Sequence, residues 1–110
     1  MKKVLDSDEG ARRLGEVALV PNSSPISSSG LLFYNTLFDE NAACHIALGQ
    51  CYSKCFKGNI GDNPESVSKA GGNSSNIHVD WMIGSDAINI DGLDKDGKAT
   101  PVFRTGEWAL

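Results

Sequence analysis

Positive charge is in short supply in this chain. Ten Lys and Arg against fourteen Asp and Glu leave a net charge of -4 and a pI near 5.0. No Lys/Arg cluster accompanies the aromatics, which make up 7% of residues, so a nucleic-acid partner is excluded as an expectation. Long apolar runs are missing as well. None approaches the ~20 residues that span a bilayer, and Met1-Lys2-Lys3-Val4-Leu5-Asp6 turns acidic where a secretory leader would need its apolar stretch. A soluble, cytoplasmic protein without a membrane partner is expected. Cysteine is limited to Cys44, Cys51 and Cys55, an odd number without C-x-x-C spacing, which excludes a disulfide scaffold and a four-thiolate zinc site. Internal repeats are absent, and 110 residues provide for one domain at most.

The local signals that are present predict an α+β chain, with a mixed, largely antiparallel sheet and one main helix carrying His45. Ser7 is placed to cap a short helix running to Leu14, with Asp8 and Glu9 in its first turn and Gly15 at its end. Glu16 to Val20 reads as a strand stopped by Pro21, followed by a polar loop from Asn22 to Gly30. After the apolar run Leu31 to Phe38, Asp39 is an N-cap candidate for an Ala- and Leu-rich helix reaching Gly49 or beyond. The cysteines would lie along one stripe of that helix if it extends far enough, as small buried hydrophobes. Residues 57 to 76 read mostly as loop. Ala87 to Ile90 and Ala99 to Phe103 read as a hairpin around Asp94-Lys95-Asp96-Gly97. That acidic turn is not an EF-hand, because Gly92 falls where the first calcium-binding Asp would have to sit.

The most informative stretch is Ile77-His78-Val79-Asp80-Trp81-Met82-Ile83-Gly84. Apolar residues at 77, 79, 81 and 83 alternate with His78, Asp80 and Met82, the period of a half-buried strand. On such a strand His78 and Asp80 point the same way with Cα atoms roughly 6.5 to 7 Å apart, so that an imidazole and a carboxylate can converge on one cation. The other histidine, His45, also falls in a predicted ordered element. Glu16 starts a strand, from which its carboxylate can project. Tyr52 follows His45 by seven residues and shares its face if the helix persists past Gly49. Taken singly, each of these residues has an ordinary reading as a core or surface side chain.

Together, three segments resemble a known family. Asp6 to Pro21 (DSDEGARRLGEVALVP), Phe33 to Gly49 (FYNTLFDENAACHIALG) and Ile77 to Ser85 (IHVDWMIGS), with the closing Gly106-Glu107-Trp108, resemble the thermophilic-type metallo-aminopeptidases of the aminopeptidase T, aminopeptidase S and PepS group. The resemblance implies a metal-dependent exopeptidase that releases amino-terminal residues from peptides. Two divalent ions, zinc, cobalt or magnesium, would be held by Glu16 as the shared carboxylate, His45 on one side, and His78 with Asp80 on the other, with Tyr52 as the active-site tyrosine. It also implies a homodimer of the full-length enzyme. Residues 1 to 110 resemble only the carboxy-terminal part of the catalytic domain. The family carries two further glutamates upstream, one a metal ligand and one the general base, and Glu9, Glu40 and Glu65 do not sit in that motif's context. The chain is therefore expected to be a carboxy-terminal fragment that is inactive or weakly active alone. The alternative is a non-catalytic folded piece binding one metal or none.

Overall fold

A computed structural model describes residues 2 to 32, Tyr34 and residues 40 to 110. Much of the apolar run from Leu31 to Phe38, and Asp39 as an expected N-cap, lie outside the described residues. The chain divides into two compact units, Met1–Ala18 with Ile46–Trp81, and Leu19–His45 with Met82–Leu110.

The first unit opens with α1 (Lys2–Leu5) and a single 3-10 turn, Glu9–Arg12. Ser7 does not cap a helix to Leu14. The chain extends at Asp8, whose carboxylate is taken up elsewhere, accepting from the Ser75 hydroxyl at 2.8 Å and the Asn76 N–H at 2.6 Å. Strand β1 (Leu14–Ala18) follows, so Gly15 lies inside a strand and does not end a helix. A three-stranded sheet has the order β1-β2-β3, with β2 at His45–Gly49 and β3 at His78–Met82. Two glycines allow the close approach of backbones in this sheet. A Cβ on Gly15 would lie 2.2 Å from the Gly49 carbonyl oxygen, and Gly49, at φ 101°, would drive a Cβ to 2.1 Å from the Ile77 oxygen.

The main helix carrying His45 is not there. His45 opens β2, whose alternate residues His45, Ala47 and Gly49 are buried and whose intervening Ile46 and Leu48 are half-buried. A short strand at the centre of a sheet suits small and apolar residues on both faces, and this burial overrides the modest helix preference of Ala and Leu. The cysteines accordingly share no helical stripe. Cys44 and Cys51 are buried on either side of β2, and Cys55 is exposed in the 3-10 turn Ser53–Cys55. Residues 57 to 76 contain α3 (Pro64–Lys69), where the Asn63 side chain accepts from the Glu65 N–H and Pro64 takes the first helical position. From α3, Val67 is fully buried, and its side chain, with those of Cys51 and Phe56, closes over Gly72 so that a Cβ there would lie 2.8 to 2.9 Å from each.

In the second unit the expected polar loop holds α2 (Pro25–Ser29), again with a capping residue before proline: Ser24 accepts from the Ser27 N–H at 3.3 Å. The tail is a three-stranded antiparallel meander of β4 (Ile90–Leu93), β5 (Ala99–Arg104) and β6 (Glu107–Trp108). Its first strand starts three residues later than expected. The Asp94–Gly97 turn forms as read, with the Asp94 carboxylate accepting from the N–H groups of Asp96 and Lys98, each at 2.9 Å. Phe103 is fully buried and meets Trp108 edge-on at 4.5 Å. No helix among the described residues is long and apolar enough to cross a membrane.

Candidate metal centre

Strand β1 is inverted relative to ordinary patterning. Val17 is 65% exposed while the Glu16 side chain is turned inward. Strand β3 behaves similarly, since Trp81 and Met82 are about half exposed while His78 and Asp80 are mostly covered. Only 20%, 22% and 18% of the Glu16, His78 and Asp80 side chains reach solvent. Carboxylates are normally the residues left outside, so an inward pair beside an imidazole needs a compensating partner.

The three groups meet at one spot. His78 Nε2 lies 3.2 Å from Glu16 Oε2 and 3.2 Å from Asp80 Oδ1. The two carboxylates present oxygens within 4.8 Å of each other. His78 Nε2 and Asp80 Oδ1 are buried atoms that complete no hydrogen bond among the described residues. The other ring nitrogen decides the tautomer. His78 Nδ1 is 2.7 Å from the Gln50 carbonyl, which can only accept, so Nδ1 carries the hydrogen and neutral His78 turns its Nε2 lone pair toward the carboxylates.

A charge-assisted N–H···O⁻ contact would be shorter, about 2.7 to 2.9 Å. Ligands bonded at about 2.0 to 2.1 Å around a tetrahedral cation stand about 3.3 Å from one another. The observed 3.2 Å separations match the second case. The donor set of imidazole and carboxylate thus fits a divalent ion such as zinc. Without an ion, a proton is the alternative occupant. Burial pulls the His78 pKa down, but the Gln50 carbonyl and the charges of Asp80 and Glu16 outweigh it and hold it above its ordinary value.

His45 is almost fully buried, and its Nδ1 lies 2.9 Å from the Ala43 carbonyl, so it has the same tautomer as His78, with Nε2 as the lone-pair nitrogen. Tyr52 reaches the neighbourhood by a different route from the one expected. It follows β2 in extended backbone, and its ring lies 5.1 Å from that of His78 at 52°. Its exposed ring borders a cleft of 600 Å³ that is lined also by Gln50, Lys54, Asp62 and His78. Sequence reasoning passed over Gln50, whose role comes through its backbone carbonyl and is invisible to residue type.

Known proteins resemble this chain along its whole length. The chain is 58% identical over all 110 residues to Aminopeptidase 2 of Geobacillus stearothermophilus, and 54% identical to Aminopeptidase T of Thermus aquaticus. It spans 27% and 26% of their lengths, about a quarter. A solved structure of wild-type AmpT from Thermus thermophilus superposes with a TM-score of 0.84 at 55% identity, over 99% of this chain and 26% of that one. The family model described as thermophilic metalloprotease (M29) matches residues 1–108, nearly the whole chain: the chain belongs to that metalloprotease family.

Proposed function

We propose that this chain contributes metal ligands and an active-site tyrosine to an aminopeptidase that removes amino-terminal residues from peptides through a two-metal site. The observation that carries the reading is the inward convergence of Glu16, His78 and Asp80 at ligand-to-ligand spacing. We assign Glu16 as the carboxylate shared by two cations, His78 and Asp80 as ligands to one, and His45 as a ligand to the other. Zinc or cobalt suits imidazole donors better than magnesium. Two bound cations would supply Lewis acidity toward the scissile carbonyl and a lowered pKa for water.

The chain's own residues do the positioning. The Gln50 carbonyl holds the His78 proton on Nδ1 and keeps Nε2 available. The Tyr52 phenol, exposed beside the His78 ring, donates a hydrogen bond to the substrate oxygen whose negative charge grows during attack, a contact worth about 2.7 to 4 kcal/mol in comparable sites. The cleft beside it has room for a peptide's first side chains. Homodimerisation and a cytoplasmic setting belong to the same proposal by family resemblance.

The test combines zinc titration with hydrolysis of leucyl-p-nitroanilide by this chain and by a longer chain extended upstream. The expected result is zinc binding by both, lost in His78→Ala, with appreciable turnover only in the longer chain, which would add a ligand and a general base worth typically 10²- to 10⁴-fold. Zinc affinity unchanged by His78→Ala would refute the site. Equal turnover by the two chains would refute the need for upstream residues. Zinc binding by both without turnover in either would favour a second reading, a single-metal, non-catalytic site, which three donors on one spot also support.

A further inference from the structure

We propose that Gln50 is a positioning residue that sets the tautomer and direction of the His78 imidazole, with Asn73 holding the backbone on either side of it. The carbonyl that takes the His78 Nδ1 proton belongs to Gln50, and this residue is fixed at every other polar group. Its N–H donates to the Ile77 carbonyl at 2.7 Å. Its side-chain oxygen accepts from the Ser75 N–H at 3.0 Å and the Ser74 hydroxyl at 3.3 Å. Its side-chain nitrogen donates to the Cys51 carbonyl at 3.0 Å.

The flanking peptides are held just as firmly. The Asn73 side-chain amide spends both hydrogens on backbone, donating to the Gly49 carbonyl at 2.7 Å and the Gly10 carbonyl at 2.8 Å. Its own carbonyl accepts from the Cys51 N–H at 3.0 Å. Asn73 therefore ties residue 49, residue 51 and the approach to β1 to one point. The loop leading into β3 is thereby zipped to the end of β2, and Gln50 O is left as the acceptor aimed at His78.

The consequence for affinity rests on the metal-site reading, whereas the geometry does not. With the clamp loosened, the imidazole is free to carry its proton on Nε2, where it faces the carboxylates as a donor and is lost as a ligand. Groups that orient a ligating histidine in this way typically contribute about 10- to 100-fold in metal affinity.

The experiment measures the His78 side-chain ¹⁵N shifts of the metal-free 110-residue chain at a pH where the ring is neutral, and zinc affinity by titration. Three chains are compared. Wild type should show Nδ1 protonated and Nε2 bare. Gln50→Met, which keeps the stem but none of the side-chain hydrogen bonds, should shift the ring toward the Nε2–H form and lose about 10- to 100-fold in zinc affinity. Gln50→Glu keeps the acceptor for the Ser75 N–H but sets a carboxylate oxygen against the Cys51 carbonyl where the amide donates, so it should fall between wild type and Gln50→Met in both tautomer and affinity. Wild-type shifts and affinity in Gln50→Met would overturn the proposal, as would Gln50→Glu failing as badly as Gln50→Met. Should Gln50→Met not fold, Ser74→Ala deletes one of the two contacts to the side-chain oxygen, and a partial shift in tautomer supports the idea while unchanged shifts overturn it. Absence of zinc binding in wild type would refute the metal reading alone, because the tautomer comparison is made without metal.

Discussion

With metal removed, the stability of this chain should fall as pH rises through the near-neutral range, and with zinc present it should rise. The perturbation is pH, read with and without chelator. In the metal-free chain His78 has a folded pKa above its ordinary 6.5, because the Gln50 carbonyl, Asp80 and Glu16 together outweigh burial. A raised folded pKa contributes stability that is fully present below the unfolded value and is lost as pH climbs through the folded one. Zinc reverses the sign, since it competes with that proton. Below the folded pKa each displaced imidazole proton weakens apparent affinity about tenfold per pH unit. Zinc at about a hundred times its dissociation constant adds about 2.7 kcal/mol, and a tenfold loss of affinity leaves about 1.4 kcal/mol. For a chain of this size the full effect is a rise in Tm on the order of 10 °C. Thermal melts across the range, with chelator and with zinc, measure both limbs. The slope of log affinity against pH counts the protons zinc displaces, and a slope near one assigns the displaced proton to the His78 imidazole. A pH-independent affinity, or metal-free stability that increases with pH, would refute the reasoning.

Two other outcomes follow from the fold. Gly15→Ala places a Cβ 2.2 Å from the Gly49 carbonyl, so β1 must shift; a loss of about 1 to 3 kcal/mol by denaturant unfolding is expected, together with weaker zinc binding because Glu16 is the next residue. Asp8 has its carboxyl held below the ordinary value by the Asn76 N–H and the Ser75 hydroxyl, so its contribution is present above the unfolded pKa and lost as pH falls through the folded one. Asp8→Ala should therefore reduce the stability difference between neutral and acidic buffer, measured by circular dichroism; an unchanged difference would remove Asp8 from the account.

The β3 motif was the most legible part of the sequence because its signal is local: residues two apart on a strand share a face, and His78 and Asp80 do. The glycine-bearing turn Asp94–Gly97 was legible for the same reason. The identity of β2 was not, since Ala, Leu and Ile around His45 satisfy a helix and a central strand equally, and only the neighbouring strands decide between them. That error misplaced Tyr52, whose proximity to His78 arises from extended chain after β2 and owes nothing to helical spacing. The two short helices were readable in principle, because Ser24-Pro25 and Asn63-Pro64 share one grammar, a capping side chain followed by proline at the first helical position. The Gln50 and Asn73 clamp was out of reach, as its side-chain amides find their partners in backbone groups that only tertiary structure brings together.

A site that gathers acceptors without an ion should be held at a cost to stability whose sign depends on protonation, and Asp80→Asn exposes this. The Asp80 carboxylate stands 3.2 Å from His78 Nε2 with little exposure. Where His78 is charged, at pH below its folded pKa, the substitution removes an attraction and should destabilise the metal-free chain by about 1 kcal/mol, the upper end for a pair that retains some solvent. Where His78 is neutral, its Nε2 lone pair faces carboxylate oxygens. An amide N–H can then donate to that nitrogen, and the same substitution should stabilise by about 1 kcal/mol. Zinc affinity should fall at every pH, because the amide is a weaker ligand than the carboxylate. Urea unfolding of both chains in chelator, on either side of the His78 transition, reads the change of sign. The same sign at both pH values would show that Asp80 and His78 are not coupled as the 3.2 Å contact implies, and undiminished zinc binding would show that the carboxylate is inward for some reason other than a cation.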